Sequence, residues 1–301
     1  MRMSATDISN FLSKNHPETR IDSIKFLGEG LDNIAFEING NLVVRFAKSS
    51  SGRLEVEKEV KLLDYLSQFF AMGILVVDTG FRGREYFSYR KIRGIPLINC
   101  IDSLSRKRID SICREIVLFL SKLHSLPRRG LDSILEIDLD NHEKILVEAT
   151  DTFDQIRDIL PPQVLWRIKA FLKTPVPAAT SQLVPIHNDI GIEHIIIDES
   201  NAGYFGIIDW TDAAVGDPAA DLAKVYRDFG ETGFNAILSE YGHSSSDFES
   251  IKERIIFLAR CSVLEDVSYG RQKEHDIYLQ RALISIGWLF PPSMDNEDVR
   301  I

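Results

Sequence analysis

The N-terminal part of the chain alternates between strand-like and helix-like hydrophobic patterns. A short amphipathic helix is predicted first, and Pro17 ends it. Three apolar strands follow, over residues 24–27, 34–38 and 42–46. Asn39-Gly40 joins the second and third strands and is a strong signal for a two-residue hairpin turn. Apolar spacing predicts a helix over about 53–69, and two further strands, 75–81 and 85–92, complete an antiparallel sheet.

Beyond Arg93-Gly94-Ile95-Pro96 the pattern becomes mainly helical. Helices are predicted from Ser103 or Ser105 to about 126, and over residues 139–160, 162–173, 247–270 and 275–288. Asp217-Pro218 supplies a capping Asp and a Pro at the first helical position of one more helix. The fold class predicted from these patterns is α+β.

One stretch inside the helical part reads as a β-hairpin. Two β-branched runs, 195–198 and 204–208, flank the polar turn residues 199–203. His187, Asp189 and His194 precede or enter this hairpin, and Asp209 follows it. If the hairpin closes, its two ends meet, and we expect these acids and imidazoles to surround one small volume.

The order of these groups is typical of phosphoryl transfer. One carboxylate orients the attacking hydroxyl, while a second carboxylate and a neighbouring ligand hold Mg²⁺ on the nucleotide phosphates. The spacing in this chain is Asp189, then His194 five residues later, then Asp209 after the hairpin.

At these residues the sequence resembles the aminoglycoside phosphotransferases, small-molecule kinases with a protein-kinase-like fold. The resemblance covers nearly the whole chain. It rests on the following matches: His187-Asn188-Asp189, His194, Ile208-Asp209, Asp217-Pro218 and Asp221-Leu222-Ala223. It implies a bilobal enzyme with a nucleotide-binding N-lobe over 1–92, built from an antiparallel sheet plus a helix, and a mainly helical C-lobe over 93–301.

Two branches of that family are similar to different parts of the chain. His194 and Asn188 resemble the branch that acts on the 2″-hydroxyl of aminoglycosides. Residues 209–213, Asp-Trp-Thr-Asp-Ala, and Phe229-Gly230-Glu231 look more like the macrolide 2′-phosphotransferases. The substrate stays open between the two.

The resemblance also implies site residues. Asp189 would be the catalytic base, and His194 and Asp209 would hold Mg²⁺. The implied nucleotide-binding residues are Gly28, Gly30, Arg45, Lys48, Glu59, Tyr89, Arg90, Lys91, Ile92 and Ile208. Arg45 stands where the family commonly has Lys, with Lys48 as an alternative cation.

Each of these nucleotide-side assignments has a simpler reading. Gly28-x-Gly30 alone is also an ordinary turn, and Arg45 could be a surface residue on an edge strand. Glu55 and Glu59 share one helix face, so both could be solvated charges, although Glu59 matches the family position.

For the substrate, we expect carboxylates to bind the ammonium groups of an aminoglycoside. The candidates are Asp212, Asp228, Glu231, Glu265 and Asp266. A macrolide would need an apolar wall instead, for which Tyr226, Phe229, Phe234, Tyr269 and Trp288 are available, although such residues at helical spacing are usually core.

Four further residues are assigned structural roles or none. His187 and Asp221 are expected to brace the catalytic loop, and His124 to pack or cap its helix. His142 has no partner at a useful spacing and is expected at the surface.

Composition limits the cellular locations and the binding partners that we expect for this protein. A net charge of −10 argues against nucleic acid as the main partner, and no apolar run is long enough for a membrane span. Three widely spaced cysteines argue against a disulfide framework. We expect a cytoplasmic monomer whose partners are a purine nucleoside triphosphate and a small-molecule antibiotic.

The sequence therefore predicts an antibiotic kinase that uses Mg²⁺ and GTP or ATP to phosphorylate an aminoglycoside hydroxyl and so confers resistance. A macrolide 2′-kinase is the first alternative, and a metabolic alcohol kinase the next. From another class, the two His and two Asp could form the metal site of a hydrolase. A nucleotide-binding module without catalysis is suggested only by Arg45 in place of Lys.

Overall fold

The computed structural model describes residues 5–29, 33–71, 73–75, 77–83, 85–139, 141–198, 205–241, 248–271 and 276–292. The strands are β1 (Ile24–Glu29), β2 (Asn33–Ile38), β3 (Leu42–Ala47), β4 (Val77–Arg82), β5 (Tyr86–Arg90), β6 (Ile95–Pro96), β7 (Val184–Ile186), β8 (Ile195–Ile197), β9 (Phe205–Ile207) and β10 (Ala214–Gly216). The helices are α1 (Ala5–Asn15), α2 (Ser50–Leu66), α3 (Arg106–His124), α4 (His142–Ile156), α5 (Pro162–Phe171), α6 (Pro218–Glu240), α7 (Phe248–Gly270) and α8 (Asp276–Leu289).

The chain divides into two compact units. The first unit contains Met1–Leu97, Gly130–Leu135 and His194–Thr211, and the second contains Ile98–Arg129, Glu136–Glu193 and Asp212–Ile301. The hairpin that carries His194 and Asp209 therefore belongs to the same unit as the N-terminal sheet. The proposed lobe boundary at residue 92 stays a prediction.

The first unit contains an antiparallel sheet in the order β1-β2-β3-β5-β4. Asn39 and Gly40 adopt φ angles of 52° and 75°, the left-handed conformation that a tight hairpin between β2 and β3 requires. The predicted turn is confirmed. Because β3 pairs with both β2 and β5, it is an interior strand of this sheet.

The two faces of β3 have different neighbours because side chains alternate along a strand. Val44 and Phe46 lie in a buried apolar cluster with Ile8 and Leu12 of α1. Arg45 points to the opposite face, where Glu59 of α2 meets it. The sheet is thus covered by a helix on each side, and the charged pair lies on the α2 side.

A second, three-stranded sheet of the first unit has the order β6-β8-β9. Ile195 lies opposite Ile207, and the backbone N–H of Ile208 donates to the carbonyl of His194 at 3.0 Å. The predicted hairpin is confirmed, and it places His194 beside Asp209. Residues 199–204, which include the predicted turn, lie outside the described residues.

The second unit is mainly helical. Helices α3, α7 and α8 pack on α6, and α4 packs on α7. Ser105 caps α3, Asn141 caps α4, and the buried Asp217 caps α6 with Pro218 following it. Asp217 also accepts from Nε of Arg254 at 2.5 Å, so its carboxylate is paired although it is buried. Strands β7 and β10 pair beside these helices, next to the loop that carries Asp189.

Two observations concern the predictions from composition. Cys100, Cys113 and Cys261 are buried, and none of the three forms a disulfide. Within the described ranges, no helix is both long and apolar enough to cross a membrane. The cellular location stays a prediction.

One prediction is wrong. His142, expected at the surface, is buried at the start of α4, and its Nδ1 lies 2.9 Å from the carbonyl oxygen of Pro177. The partner is 35 residues away in the chain, so local spacing could not indicate it.

Candidate active site

Arg45 is a buried cation in the first unit. Only 9% of its surface is exposed, because β3 is an interior strand and α2 covers this face. Its Nη1 donates to Oε1 of Glu59 at 2.8 Å, and its Nη2 lies 3.3 Å from Oδ1 of Asp209. The reading of Arg45 as a surface residue on an edge strand is therefore wrong.

Glu59 is the acid of α2 that pairs with Arg45, whereas Glu55 is half-exposed. Burial raises the pKa of Glu59 to about 6, against the opposing effect of the Arg45 charge. Among the described residues no donor meets Oε2 of Glu59 at hydrogen-bonding distance. Arg45 and Glu59 therefore form a buried ion pair.

Asp209 follows β9 and has a φ of 63°, a left-handed conformation that is uncommon outside glycine. The hydroxyl of Thr211 donates to Oδ1 of Asp209 at 3.0 Å. Nε2 of His194 lies 3.9 Å from Oδ2 of the same carboxylate. Asp209 is 42% exposed, so a bound ion could reach it.

These residues fit a magnesium ion that is completed by phosphate and water. Mg²⁺ is commonly held by one or two carboxylates plus substrate phosphates rather than by an all-protein cage. Asp209 supplies carboxylate oxygens, and His194 places one imidazole nitrogen 3.9 Å from Oδ2. Over the described residues, no group of three or more His, Cys, Asp or Glu side chains could hold a metal by itself.

The other residues proposed for the nucleotide site include two glycines near the end of β1 and two lysines of the first unit. Gly28 lies at a β-bulge of β1, where an added Cβ would have open space. Gly30 lies outside the described residues. Lys48 pairs with Glu29 at 2.7 Å, and Lys91 pairs with Glu37 at 2.5 Å.

Residues near the end of β5 include both buried and exposed side chains. Tyr89 is buried, which raises the pKa of its hydroxyl, and Arg90 is exposed. Ile92 packs on the hairpin at Gly206, where an added Cβ would lie 2.4 Å from Cδ1 of Ile92. Ile208 is half-buried in the same hairpin.

The loop that carries Asp189 lies in the second unit and is held by Asp221. The backbone N–H groups of His187 and Asn188 donate to the Asp221 carboxylate at 2.9 and 2.7 Å. Nε2 of His124 lies 3.0 Å from the same carboxylate, which is fully buried. The predicted bracing contact of Asp221 is confirmed.

These contacts also determine the protonation of Asp221. Burial by itself would raise the pKa of Asp221, but the hydrogen bonds from His124 and from the His187 backbone hold it below its usual value. His187 is buried, and its Nδ1 lies 3.3 Å from the backbone nitrogen of Asp189. His187 therefore supports the loop, as expected, rather than facing solvent.

Asp189 itself is partly accessible. Its side chain is 38% exposed, and Nζ of Lys224 lies 4.0 Å from Oδ1. The preceding residue, Asn188, has a left-handed φ of 70°, and its side chain donates to Asp138 at 3.2 Å. The loop thus presents Asp189 from a conformation that the surrounding hydrogen bonds maintain.

The proposed substrate carboxylates fall into two groups. Asp212, Glu231 and Glu265 are exposed. Asp228 and Asp266 instead contact the buried Arg227, at 2.7 and 3.0 Å, and Asp228 also accepts from the backbone N–H of Ile192 at 3.0 Å. Burial raises the pKa of Asp266, and Arg227 opposes this rise. Asp228 thus has an internal role in holding the segment that follows Asp189.

The sequence did not single out Lys224, Arg227 or Thr211. Arg227 also lines a pocket of the second unit with Ile192, Glu193, Asp266 and Tyr278. A cation next to Asp228 in the chain was the available signal for Arg227, but a charged neighbour on a helix is too common to be informative. Thr211 and Asp209 are only two positions apart in the chain, so the Asp-x-Thr spacing was an available signal for their contact.

The antiparallel sheet with its buried Arg–Glu pair, followed by a mainly helical unit with a braced Asp loop, defines a protein-kinase-like α+β fold. Residues 23–254 match the phosphotransferase enzyme family APH, and the chain belongs to that family.

Individual relatives are distant. The chain is similar to the GDP and kanamycin complex of APH(2″)-IIIa, with a TM-score of 0.70 and 22% identity over 93% of this chain and 96% of that chain. It is also similar to macrolide 2′-phosphotransferase type I, with a TM-score of 0.64 and 19% identity over 95% of this chain and 98% of that chain. At these identities the likeness shows the fold.

A relative from Bacillus subtilis (strain 168), the uncharacterized protein YcbJ, is 29% identical over 103 residues. That match covers 34% of this chain and 33% of the relative, so the chain spans about a third of the length of this relative.

Proposed function

We propose that this protein transfers the γ-phosphate of GTP or ATP to a hydroxyl of an aminoglycoside antibiotic and thereby confers resistance. The observation that carries the proposal is the set of contacts that Arg45 makes with Glu59 and Asp209 in the first unit. Protein kinases require a cation that is held by a helix Glu, together with a metal-binding Asp. The family membership of the chain supports the same reaction type.

In this proposal the first unit binds the nucleotide. Arg45, oriented by Glu59, binds the phosphates, and its planar fork suits bidentate contact with phosphate oxygens. Asp209 and His194 would hold Mg²⁺, which neutralises charge on the transferring phosphate when it is bound. Gly28, Gly30 and Lys48 would lie along the phosphates, and the segment from Tyr89 to Ile92, with Ile208, would line the purine site.

The second unit supplies the acceptor chemistry. Asp189 orients the substrate hydroxyl and takes its proton, and the contacts of Asp221 with the loop backbone support this geometry. Lys224, 4.0 Å from Asp189, reduces the repulsion between this carboxylate and other acids of the unit.

A polycationic substrate suits the acidic surface of the second unit. Exposed Asp212, Glu231 and Glu265 can each make charge-assisted contacts with ammonium groups. The similar APH(2″)-IIIa was solved with kanamycin, an example of this substrate class. The net charge of −10 favours association with cations in general.

A macrolide 2′-kinase is the second candidate because of the residues around Asp209. Trp210 is fully buried, and its Nε1 donates to the carbonyl of Ile207 at 3.2 Å, so Asp-Trp-Thr forms a fixed segment in this chain. The Asp-Trp-Thr segment resembles the corresponding sequence of the macrolide branch, and macrolide 2′-phosphotransferase type I shares the fold.

A metal-dependent hydrolase has less support. Its metal site would need the imidazole of His187, but this side chain is fully buried, with Nδ1 directed at the backbone of Asp189. Such a site would also leave the buried Arg45–Glu59 pair without a role.

A kinetic panel tests the proposal. The purified protein would be assayed with kanamycin-like, hygromycin-like and erythromycin-like acceptors, each with GTP and with ATP, in Mg²⁺. We expect phosphorylated aminoglycoside, detected by mass spectrometry, and much slower product formation with Asp189→Asn. Product only with the macrolide would select the second candidate. Hydrolysis with tight zinc binding and no nucleotide requirement would overturn the kinase proposal.

A further inference from the structure

Thr211 lies between the two charged groups of the first unit. Its hydroxyl oxygen is 3.4 Å from Nη2 of Arg45 and 3.0 Å from Oδ1 of Asp209. A guanidinium can only donate hydrogen bonds and an ionised carboxylate can only accept them. The hydroxyl therefore accepts from Arg45 and donates to Asp209, so its single proton is directed at the carboxylate.

The position of Thr211 is itself fixed by α2. Nζ of Lys58 donates to the carbonyl oxygen of Thr211 at 3.2 Å. Lys58 directly precedes Glu59, so one turn of α2 holds both Thr211 and Arg45. On the other side of the segment, Trp210 is buried and bonded to Ile207. The hydroxyl is thus presented from a constrained backbone.

The two oxygens of Asp209 consequently have different surroundings. Oδ1 receives the Thr211 hydroxyl and faces Nη2 of Arg45. Oδ2 faces Nε2 of His194 at 3.9 Å. Groups that hydrogen-bond to a ligating carboxylate fix its orientation and raise its affinity for a metal.

We propose that Thr211 is a positioning residue that holds Oδ1 of Asp209 and so directs Oδ2, together with His194, towards the divalent cation. This inference rests on the proposed function, because it takes Asp209 as the metal-binding carboxylate. It assigns the hydroxyl of Thr211 no contact with the reacting atoms. Its effect is on the concentration of Mg²⁺ that the protein needs to bind nucleotide.

The test compares Thr211→Val, which removes the hydroxyl at nearly constant shape, with Thr211→Ser, which retains it. Each protein is titrated with Mg²⁺ in the presence of a fixed concentration of a non-hydrolysable GTP analogue, and again with the ATP analogue, while its Tm is followed. For Thr211→Val we expect the half-maximal Mg²⁺ concentration to rise about 10- to 100-fold. Thr211→Ser should behave like the original protein.

Two controls separate a metal effect from a general one. Thr19→Val makes the same chemical change elsewhere in the first unit and should leave the Mg²⁺ titration unaltered. Nucleotide affinity measured in EDTA should be equal for the Val and Ser variants, because the 2.8 Å contact that orients Arg45 on Glu59 is retained in both. If Thr211→Val does not fold, Thr211→Ala, which needs less space, carries the same expectation.

The possible failures are distinguishable. If the original protein shows no Mg²⁺-dependent nucleotide binding, the proposed function fails, and the inference fails with it. If the original protein shows it and Thr211→Val or Thr211→Ala titrates identically, only the positioning role is overturned. A rise that Thr211→Ser shares would also overturn it, since the hydroxyl would then be irrelevant.

Discussion

Nη1 of Arg45 donates to Oε1 of Glu59 at 2.8 Å, joining strand β3 to helix α2 through two buried charges. Removing one partner of a buried ion pair leaves the other charge desolvated and uncompensated, whereas the intact pair contributes little net stability. The pair is therefore better understood as a device that fixes the direction of the Arg45 guanidinium than as a source of stability.

The first prediction concerns the stability effect of Arg45. We expect Arg45→Met to lower the free energy of unfolding by about 3–5 kcal/mol, because Glu59 would remain buried without its cation. Arg45→Lys keeps the charge and should cost less, while weakening nucleotide binding because one ammonium cannot replace the planar fork. Urea unfolding and nucleotide titration measure the two effects. Equal stability of the Met variant and the original protein would contradict the prediction.

The second prediction concerns pH. Burial raises the pKa of Glu59 from its ordinary value of 4.5 to about 6. Between these values the folded state binds more protons than the unfolded state, so this group's contribution to stability falls as the pH rises through that window. The loss is about 2 kcal/mol once the pH exceeds 6.

Glu59→Gln tests this pH effect because the amide does not titrate. The free energy of unfolding of the variant, relative to the original protein, should rise by about 2 kcal/mol between pH 4 and pH 7, whatever its absolute offset. A flat difference for Glu59→Gln would mean that burial does not perturb this acid.

The third prediction concerns catalysis by Asp189. We expect Asp189→Asn to reduce kcat by about 10²- to 10⁴-fold, because the amide cannot take the hydroxyl proton. Nucleotide affinity should stay nearly constant, since Arg45, Glu59 and Asp209 are unaltered. Steady-state kinetics and calorimetry measure these quantities. Asp151→Asn, at an exposed position of α4 with no proposed role, is the control and should retain kcat.

The fourth prediction concerns the contacts of Asp221 with the loop that carries Asp189. Asp221 accepts from the backbone N–H groups of His187 and Asn188 and meets His124, all without access to water. Asp221→Asn should lower the free energy of unfolding by about 3 kcal/mol or more, because an amide cannot accept at both oxygens and retain the charge.

The pH dependence of this effect has a definite sign. Because the pKa of Asp221 is lowered in the folded protein, its stabilising contribution is complete above the usual pKa of 3.8 and is lost as the pH falls below it. The gap in stability between the original protein and Asp221→Asn should therefore narrow under acid conditions. Tyr241→Phe, which removes only the hydroxyl 3.0 Å from Nδ1 of His124, should cost about 1 kcal/mol.

The fifth prediction separates substrate contact from internal structure among the acids of the second unit. Glu231→Gln and Glu265→Gln, at exposed positions, should raise KM for an aminoglycoside several-fold and leave Tm unchanged. Asp228→Asn should instead lower Tm, because it breaks the contact with the buried Arg227. An unchanged KM in both Gln variants would remove these residues from the substrate site.

Local sequence signals predicted the elements well where the cause of the structure is local. The Asn39-Gly40 turn, the Asp217 cap followed by Pro218, and the hairpin of β8 and β9 are examples. Each depends on backbone conformations or hydrogen bonds among residues that are close in the chain. The spacing of Asp189, His194 and Asp209 could also be read from the sequence, because the resemblance to the family rests on short sequence motifs.

Contacts between residues that are far apart in the chain could not be predicted from local sequence patterns. Local spacing predicts a surface position for His142, yet this residue is buried against Pro177. The sequence makes Asp228 a candidate substrate acid, yet its carboxylate contacts Arg227 and the backbone of Ile192. Whether a charged side chain faces water or an internal partner depends on which helix covers it, and hydrophobic spacing does not encode the identity of that neighbour.

The amino-acid sequence by itself determined the fold class, the order of the elements and the family, because these follow from hydrophobic periodicity, turn chemistry and a short motif. Only the tertiary structure decided that Arg45 is an interior cation, that Asp221 bonds the loop that carries Asp189, and that Thr211 directs its proton at Asp209. The reason is physical: the desolvation and hydrogen bonding of a charge depend on groups brought together from distant parts of the chain.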